Sequence, residues 1–243
     1  MKKLALDVGN TLVKAGVFEG KQLRTVWTER TAEHTKLLMP ILKEGPYAGI
    51  ILSAVTGLDR AFSDTLQEAG RLVILDEATL LPLRNLYQTP ATLGRDRLAA
   101  AVGARALFPG RAVLVIVAGT CITYDLVTAR GEYLGGSIAP GIRMRFQALN
   151  TFTGQLPLLE PDLQFSLPGT NTRDSILSGV MQGVLLETDA MIARYGEGNP
   201  GLQVVLSGGD ADFFENRLKN SIFASPNIVL KGLNEILDYH AER

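Results

Sequence analysis

Hydrophobic and polar positions along the first half of the chain predict short strands that alternate with helices. Turn signals at Gly9-Asn10 and Glu19-Gly20-Lys21 separate the first three apolar runs, which is typical of a β-meander. The strands are predicted over residues 4–7, 11–18, 23–28, 49–55 and 72–75. The helices are predicted over residues 32–42, 58–68 and 95–107. The polar stretch between Pro82 and Pro90 is typical of a surface loop.

The second half of the chain repeats this opening. Strands are predicted over residues 112–117, 121–127, 133–138, 204–206 and 228–230, and helices over residues 142–150, 173–195, 233–241 and between the last two strands. The first strand of each half ends at a turn, Gly9-Asn10-Thr11 in one and Gly119-Thr120 in the other. This match predicts a duplication into α/β half-domains over residues 1–108 and 109–243. We expect a ligand cleft where their first hairpins face each other.

The composition is that of a globular protein that binds small molecules. Of 243 residues, 46% are hydrophobic and 20% are charged, and the net charge of -1 gives no basic surface for nucleic acid or an anionic membrane. The single cysteine and the two histidines, which are far apart, give neither an intrachain disulfide nor a zinc-ligand spacing. Asp7 and Asn10 interrupt the first apolar stretch, and the longest one, residues 112–118, is too short to span a bilayer. We therefore expect a cytoplasmic protein with no membrane partner.

The first hairpin, residues 7–11, has the side chains that a phosphate-binding turn needs. Gly9 lets the backbone approach an oxyanion, and the turn amides and the Thr11 hydroxyl can donate hydrogen bonds to phosphate. Asp7 can hold Mg²⁺ through water, and Lys14 can reach the same phosphates. A plain β-turn is the alternative for this segment alone. The matching turn of the second half, facing the first, favours a phosphate clamp.

A third glycine-rich segment, Ser207-Gly208-Gly209-Asp210, follows a predicted strand and precedes a predicted helix. The bare backbone of Gly208 and Gly209 can lie against a nucleotide base and ribose. A helix N-terminus capped by Ser207 or Asp210 is the simpler alternative, and the segment alone leaves both open.

In this order, the three segments resemble the acetate and sugar kinase, Hsc70 and actin superfamily. The chain resembles one member, type III pantothenate kinase, across nearly its whole length. The segments that carry this closer resemblance are Gly94-Arg95-Asp96-Arg97, Gly135-Gly136-Ser137-Ile138-Ala139-Pro140-Gly141 and Thr151-Phe152-Thr153-Gly154-Gln155-Leu156-Pro157. The resemblance implies duplicated actin-like (ribonuclease H-like) half-domains with an interdomain nucleotide cleft, and a homodimer. It also implies ATP-dependent phosphorylation of pantothenate, the first step of coenzyme A biosynthesis.

The resemblance also implies a role for each matched residue. ATP is expected to contact Asp7, Val8, Gly9, Asn10, Thr11, Leu12, Val13, Lys14, Gly119, Thr120, Gly208 and Gly209, with Mg²⁺ held by Asp7 through water. Pantothenate is expected to contact Tyr87, Gly94, Arg95, Asp96, Arg97 and Thr172. Asp96 is expected to be the catalytic base. A carboxylate in the first turn of a helix is also favoured by the helix dipole, and the two explanations are compatible.

The arginines on either side of Asp96 favour its ionised form, which makes it a weak base in the ground state. Phosphoryl transfer through a loose transition state deprotonates the hydroxyl late, so a carboxylate that accepts a hydrogen bond can suffice. Arg97 has the geometry to bind a substrate carboxylate, whereas pairing with Asp96 is the simpler use of that side chain.

The chain departs from the family at the second phosphate turn, which usually reads Asp-Ala-Gly-Thr and here reads Val117-Ala118-Gly119-Thr120. In relatives, that aspartate binds the monovalent cation, K⁺ or NH₄⁺, that the enzymes need. Val117 therefore predicts a weak or absent cation site, and Asp125 lies too far along the next strand to replace the missing carboxylate. Cys121 is expected to be a small core residue.

The sequence leaves two alternatives to a pantothenate kinase. One is a nucleotide-binding accessory or regulatory protein of the same fold with weak or lost activity, which Val117 favours and which Asp7 and Asp96 oppose. The other is a kinase for another small hydroxyl compound.

Overall fold

The computed structural model describes residues 1–54 and 60–241, and the chain forms two compact units. The first unit combines Met1–Gly110, Val127–Gly135 and Asn227–Arg243, and the second combines Arg111–Leu126 and Gly136–Pro226. The strands are β1 Lys2–Val8, β2 Leu12–Glu19, β3 Gln22–Arg30, β4 Gly49–Ala54, β5 Leu72–Ile74, β6 Arg84–Asn85, β7 Val113–Ala118, β8 Cys121–Val127, β9 Glu132–Pro140, β10 Gln203–Ser207 and β11 Phe223–Ala224. The α-helices are α1 Leu38–Glu44, α2 Arg60–Ala69, α3 Arg95–Leu107, α4 Ile142–Phe152, α5 Thr172–Leu177, α6 Gly183–Glu197, α7 Ala211–Phe214 and α8 Ile228–Ala241.

The first unit is built on a five-stranded sheet with β1 at its centre. Its strand order is β3-β2-β1-β4-β5. The first three strands pair antiparallel because short turns connect them. Strands β4 and β5 pair parallel to β1 and to each other, and the helices α1 and α2 provide the crossovers that parallel pairing needs.

The central strands of this sheet are buried on both faces. Alternate residues of β1 and β4 point to opposite sides, and helices cover each side. Leu4, Leu6 and Val8 share a core with side chains of α1 and α2. Ala5 and Ile51 share a second core with side chains of α3 and α8. A strand that is buried on both faces has a nearly continuous apolar sequence, and β4 has such a sequence.

Helices α3 and α8 pack against each other at two glycines. A Cβ atom added to Gly232 would lie 1.7 Å from the carbonyl oxygen of Ala99, and one added to Gly103 would lie 2.6 Å from the carbonyl oxygen of Ile228. The helix backbones therefore approach more closely than any larger side chain permits. This contact holds α3, whose first turn carries Asp96.

The second unit repeats the strand order of the first. Its strands follow the order β11-β10-β7-β8-β9, which corresponds strand by strand to β5-β4-β1-β2-β3. Strand β10 is parallel to β7 and to β11, as β4 is to β1 and to β5. The repeated order confirms the duplicated α/β fold that the two turns predict.

Thr172–Glu197 is one continuous helical segment, in which a π-helical turn at Ser178–Gln182 joins α5 to α6. By length and composition alone this segment could cross a bilayer. A core helix of a soluble protein has the same properties, and here Ile176, Val180 and Val184 are buried in the core of the second unit. The segment is therefore explained as a core helix.

The predicted strand at residues 228–230 is wrong, because α8 begins at Ile228. A three-residue apolar run does not distinguish a strand from the start of a buried helix, and the buried Leu230, Leu233 and Leu237 follow helical spacing. The last strand is β11, which lies before that helix.

Two other segments differ from their predictions. The stretch between Pro82 and Pro90 contains β6, which pairs with the first residues of β9. The helix predicted over residues 32–42 is divided into a 3₁₀ segment at Thr31–Leu37 and the helix α1. Pro40 has no N–H to donate and is tolerated only in a first helical turn, so the α-helix begins just before it.

The predicted ends of two elements, residues 55, 58 and 59, lie outside the described residues. The predicted boundary between residues 108 and 109 separates the two copies of the proposed duplication. It stays a prediction, because compact units are defined by contacts and not by origin. The compact units differ from it because residues 127–135 and α8 cluster with the first unit.

We expect Gly232→Ala to lower the free energy of unfolding by about 3 kcal/mol or more, because the added methyl group forces α3 and α8 apart. Gly183→Ala is the control, since a Cβ there meets nothing within 4 Å. Alanine favours the helix, so this control should be neutral or gain about 0.5–1 kcal/mol. Urea unfolding followed by circular dichroism measures both, and equal stability of the two variants would contradict the close packing.

Candidate active site

Three polar side chains form a row across the central strands of the first unit. In the register of the sheet, Asp7 of β1 pairs with Lys14 of β2 on one side and with Ser53 of β4 on the other. Paired residues on neighbouring strands point to the same face. That face is the one to which Ala5 points and which α3 and α8 cover. The row lies where β1 and β4 end, beside the first hairpin.

The turn of this hairpin is held by its own backbone and by the residue that follows β3. The Gly9 amide donates to the Leu12 carbonyl at 3.0 Å. The Thr31 hydroxyl donates to the Gly9 carbonyl at 2.8 Å, and the Thr31 amide donates to the Thr11 carbonyl at 3.0 Å. A Cβ at Gly9 would lie only 3.2 Å from the Leu12 carbonyl oxygen. The turn is therefore a fixed structure with its carbonyl groups directed to protein partners.

The predicted phosphate contacts of this hairpin differ in exposure. Asn10, Thr11 and Leu12 are exposed at the tip. The side chains of Val8 and Val13 are fully buried in the core that α1 and α2 cover. If these two valines contact a nucleotide, only their main-chain groups can do so.

Asp7 has an unusual electrostatic environment. Burial raises the pKa of its carboxyl group from 3.8 to about 7, and the carboxylate of Asp96 adds to the rise. The Ser53 hydroxyl and the Lys14 ammonium lower the pKa but do not cancel the rise. Within residues 1–54 and 60–241, Oδ1 of Asp7 and Oγ of Ser53 are both buried without a hydrogen-bond partner. The nearby Ser53 hydroxyl therefore lowers the pKa of Asp7, although its Oγ forms no hydrogen bond of normal geometry with Oδ1 of Asp7.

The unpartnered oxygen of Asp7 fits a bound divalent cation. Burial and the neighbouring Asp96 both disfavour the ionised Asp7, and a cation would reverse both effects. Among the residues that the structure describes, no group of three or more His, Cys, Asp or Glu side chains is placed to hold a metal. A Mg²⁺ ion that is bound mainly by substrate phosphates and water needs only one or two carboxylates from the protein, and Asp7 is a candidate for one of them.

The first turn of α3 places Asp96 next to the backbone of Gly94. A Cβ at Gly94 would lie 2.6 Å from Oδ1 of Asp96, so glycine leaves the space that this carboxylate occupies. Arg95 donates from Nη1 to the carbonyl oxygens of Pro90 at 3.1 Å and Leu93 at 3.2 Å. Arg95 therefore holds the loop before the helix, and its contact with substrate stays a prediction.

Tyr87 and Arg97 lie together near this helix start. The Arg97 guanidinium carbon is 5.9 Å from the centroid of the Tyr87 ring, which is within the range of a cation–π interaction. Arg97 is only 6% exposed, although arginine is rarely buried. The ring of Tyr133 lies 6.3 Å from that of Tyr87. An aromatic ring and a buried cation are thus adjacent, and the contact of both with pantothenate stays a prediction.

In the second unit, the turn at Gly119-Thr120 is enclosed by other glycine backbones. The Gly119 amide donates to the Cys121 carbonyl at 2.9 Å, and the Gly141 amide donates to the Thr120 carbonyl at 3.0 Å. A Cβ at Gly141 would lie 2.0 Å from the Gly119 carbonyl oxygen. The turn therefore depends on a glycine that lies more than twenty residues away in the sequence.

Gly208 is also needed for backbone packing. Its φ of 108° lies in the region that glycine favours, and a Cβ there would lie 2.0 Å from the Ala118 carbonyl oxygen. Among the described residues, nothing lies within 4 Å of a Cβ built on Gly119 or Gly209, so these two positions leave open space. Backbone packing alone therefore explains why position 208 is a glycine. Two other predicted ATP contacts, Gly119 and Gly209, leave room for a ligand.

Val117 holds the position in the second sheet that Asp7 holds in the first. Val117 pairs with Ser207 of the parallel strand β10, as Asp7 pairs with Ser53 of β4. Both sheets thus have a serine on the parallel neighbouring strand, Ser53 in the first and Ser207 in the second. The carboxylate is present at this position in the first sheet and is replaced by valine in the second. An isopropyl group has no oxygen with which to bind a cation.

The remaining predicted contact, Thr172, is exposed at the start of α5 in the second unit. The preceding Asn171 caps that helix by accepting a hydrogen bond from the Asp174 amide. Ser53, Thr31 and Gly141 are not among the predicted site residues. Gly141 belongs to a segment that carries the family resemblance, but its contact with Gly119 is distant in sequence. That contact and the strand register of Ser53 are tertiary features for which a single sequence gives no signal.

A family model described as type III pantothenate kinase matches residues 3–194. The chain belongs to the type III pantothenate kinase family. Two proteins named type III pantothenate kinase are similar over almost the full length of both chains. The one from Christiangramia forsetii is 40% identical over 243 residues, and the one from Phocaeicola vulgatus is 41% identical over 239 residues. Each alignment covers 98% of this chain and 98% of the relative.

Solved structures of more distant proteins share the fold. A Baf family protein from Campylobacter jejuni has a TM-score of 0.62 at 21% identity, covering 99% of this chain and 100% of that one. A ROK family glucokinase from Streptomyces griseus has a TM-score of 0.54 at 12% identity, covering 98% of this chain and 100% of that one. These similarities confirm the predicted actin-like kinase fold.

Asp7→Asn should remove a pH dependence of stability that the parent protein has. Because folding raises the pKa of Asp7, the folded state binds its proton more tightly. The free energy of unfolding should therefore fall as the pH rises from about 4 to about 7. At about 1.4 kcal/mol per pKa unit, the fall is on the order of 4 kcal/mol.

The measurement is urea unfolding of the metal-free and nucleotide-free proteins across this pH range. The Asp7→Asn variant should be more stable than the parent at pH 8 and nearly equal to it at pH 4. Asp64→Asn, on the exposed surface of α2, is the control. A difference between parent and Asp7→Asn that does not change with pH would contradict the raised pKa.

Proposed function

We propose that this protein transfers the γ-phosphate of ATP to the hydroxyl group of pantothenate, the first step of coenzyme A biosynthesis. Membership of the type III pantothenate kinase family supports the reaction. The observation that supports the assignment of residues is that Asp96, at the start of α3, is close enough to Asp7, at the end of the central strand, for its negative charge to raise the pKa of Asp7. Two neighbouring carboxylates provide one group for the nucleotide side of the reaction and one for the acceptor hydroxyl.

Asp96 is proposed as the acceptor of the hydroxyl proton. Its carboxylate lies against Gly94 in the first turn of α3, and that helix is fixed by its glycine contacts with α8. A carboxylate held in this way can orient the hydroxyl and accept its proton as the bond to phosphorus forms.

Asp7 is proposed to hold Mg²⁺ through water, and ATP with a divalent metal is the requirement of this kinase family. When bound, Mg²⁺ would neutralise charge on the phosphates during transfer. The exposed hairpin tip at Asn10-Thr11 and the Lys14 side chain would contact the phosphates, and Thr120 would do so from the second unit. A bound cation would thereby favour the ionised form of Asp7, which burial disfavours in the free protein.

Tyr87 and Arg97 are proposed to bind pantothenate. Arg97 would pair with the carboxylate of the substrate, for which the planar guanidinium is suited. Gly94, Arg95 and Thr172 are the other proposed contacts. A homodimer in the cytoplasm, without a nucleic acid or a membrane as partner, completes the proposal.

The test of this function is formation of phosphopantothenate from purified protein, ATP and Mg²⁺. A panel of small hydroxyl compounds, including sugars and pantothenate analogues without the carboxylate, tests the acceptor. Preference for pantothenate by at least tenfold in kcat/KM supports the proposal. Turnover of another acceptor at a higher rate, or nucleotide binding without turnover, would replace it with one of the alternatives.

Asp96→Asn should lower kcat by a factor of about 100 or more, because it removes the proton acceptor. ATP binding and the unfolding midpoint should stay close to those of the parent. Steady-state kinetics and calorimetric titration with ATP measure these quantities, with Asp64→Asn as the surface control. Retention of most of the parental kcat by Asp96→Asn would rule out Asp96 as the base.

Val117 should make the protein insensitive to K⁺, or slow at every salt concentration, because no carboxylate is available to bind the ion. The measurement is activity against K⁺ concentration at constant ionic strength. Val117→Asp should gain either rate or a response to K⁺, and Val117→Asn tests whether the charge is needed. Strong K⁺ activation of the parent protein would refute this explanation, as would a folded Val117→Asp with neither gain.

A further inference from the structure

The ring of Tyr87 occupies space that only a glycine at position 135 leaves. Gly135 has a φ of 97°, a conformation that residues with a side chain rarely adopt. A Cβ built on it would lie 2.8 Å from Cδ2 and 2.9 Å from Cε2 of the Tyr87 ring. Carbon atoms in good contact are about 3.5–4.0 Å apart. Any side chain at position 135 would therefore push the ring away by about 1 Å.

The backbone that carries this ring is fixed by three hydrogen bonds. The Arg84 amide donates to the Gly131 carbonyl at 2.8 Å, and the Leu86 amide donates to the Tyr133 carbonyl at 2.9 Å. The side chain of Asn85 accepts a hydrogen bond from the Tyr87 amide at 3.0 Å. The short strand β6 thus places Tyr87 at a defined point beside β9.

The cation–π contact with Arg97 restricts the same ring. The buried Arg97 guanidinium lies over it, and the Tyr133 ring lies beside it at an interplanar angle of 46°. Tyr87 and Arg97 form a single arrangement in which the ring and the guanidinium restrain each other. Side chains that are restrained in this way need less ordering when a ligand binds.

We propose that Gly135 is a positioning residue for the acceptor substrate. Its bare backbone lets the Tyr87 ring lie under Arg97, so that the ring and the guanidinium present one surface to an acceptor that carries a carboxylate. The inference rests on the proposed function, in which Tyr87 and Arg97 contact pantothenate. It adds a residue that itself touches no substrate and acts through the orientation of Tyr87.

The first test compares Gly135→Ala with Gly110→Ala. Gly110 also has a positive φ, 74°, but among the described residues a Cβ there would meet nothing within 4 Å. The control thus has similar backbone strain without contact with the ring. Since a displacement of 1 Å can cost on the order of 100-fold, Gly135→Ala should lower kcat/KM for pantothenate by about 10- to 100-fold. Most of that loss should appear in KM.

The KM for ATP should stay within about twofold of the parent in both variants, and Gly110→Ala should leave both KM values unchanged. A general structural defect would instead affect both substrates. Calorimetric titration with pantothenate in the presence of a non-hydrolysable ATP analogue provides a measurement independent of turnover. Equal effects of Gly135→Ala on the two KM values, or no effect on either, would overturn the inference.

A second pair of variants keeps the test informative if Gly135→Ala does not fold. Asn85→Ala removes the acceptor of the Tyr87 amide, whereas Asn85→Asp keeps a side-chain oxygen at that place. Asn85→Ala should raise the KM for pantothenate severalfold, and Asn85→Asp should stay closer to the parent. The opposite order would overturn the inference.

Tyr87→Ala separates this inference from the proposed function. If Tyr87→Ala raises the pantothenate KM and Gly135→Ala adds nothing further in that background, both are supported. If Tyr87→Ala raises it while Gly135→Ala and Asn85→Ala leave it unchanged, only the role of Gly135 is overturned. If Tyr87→Ala leaves it unchanged, the proposed contact between Tyr87 and pantothenate is itself wrong.

Discussion

The carboxyl group of Asp7 is buried at the end of a central strand without a hydrogen-bond partner for Oδ1. This burial raises the pKa to about 7 and makes the ionised form costly in the protein alone. Neither Lys14 nor Ser53 removes the cost, and Asp96 increases it. The arrangement is explained if the missing partner is a cation that arrives with the nucleotide. In that case the buried carboxylate lowers the stability of the free protein, and binding of the cation with the nucleotide restores it.

The rest of the first unit holds this arrangement in place. Asp7 and Ser53 lie on adjacent strands, so their separation is set by the pairing of the sheet. Asp96 is positioned by α3, and α3 is positioned by glycine contacts with α8. A site on strands and packed helices is held more precisely than one on loops. The C-terminal helix therefore contributes to the site although it carries none of the proposed site residues.

The sequence predicts most of the fold because its signals are local. Alternation and turn residues locate β1 to β5 and β7 to β10, and α3 and β8 have their predicted ends. Prediction fails where a tertiary contact decides the structure. The two residues of β6 form a strand because β9 provides a partner. The apolar run at the start of α8 is predicted as a strand because its packing against α3 is a tertiary contact.

The same distinction applies to the candidate site. Asp7, Gly9, Gly119 and Asp96 belong to recognisable motifs, so the sequence identifies them. Gly135 and Gly141 also belong to a segment that carries the resemblance, but what they contact is not encoded locally: the Tyr87 ring for Gly135 and the Gly119 carbonyl for Gly141. The role of Ser53 depends on strand register, for which a single sequence gives no local signal either. Their positions become meaningful only when the chain is folded.

Comparison of the two sheets explains why duplication need not give equal halves. The duplicated position carries Asp7 in one sheet and Val117 in the other, with a serine on the parallel neighbour in both. A buried carboxylate is costly unless a cation joins it, whereas valine at a strand end is favourable in itself. If no cation is bound at the second position, replacing its carboxylate with valine removes a cost without changing the strand. The same replacement at Asp7 would remove the group to which the metal is proposed to bind. If these proposed roles hold, the asymmetry between the halves follows from where a cation binds.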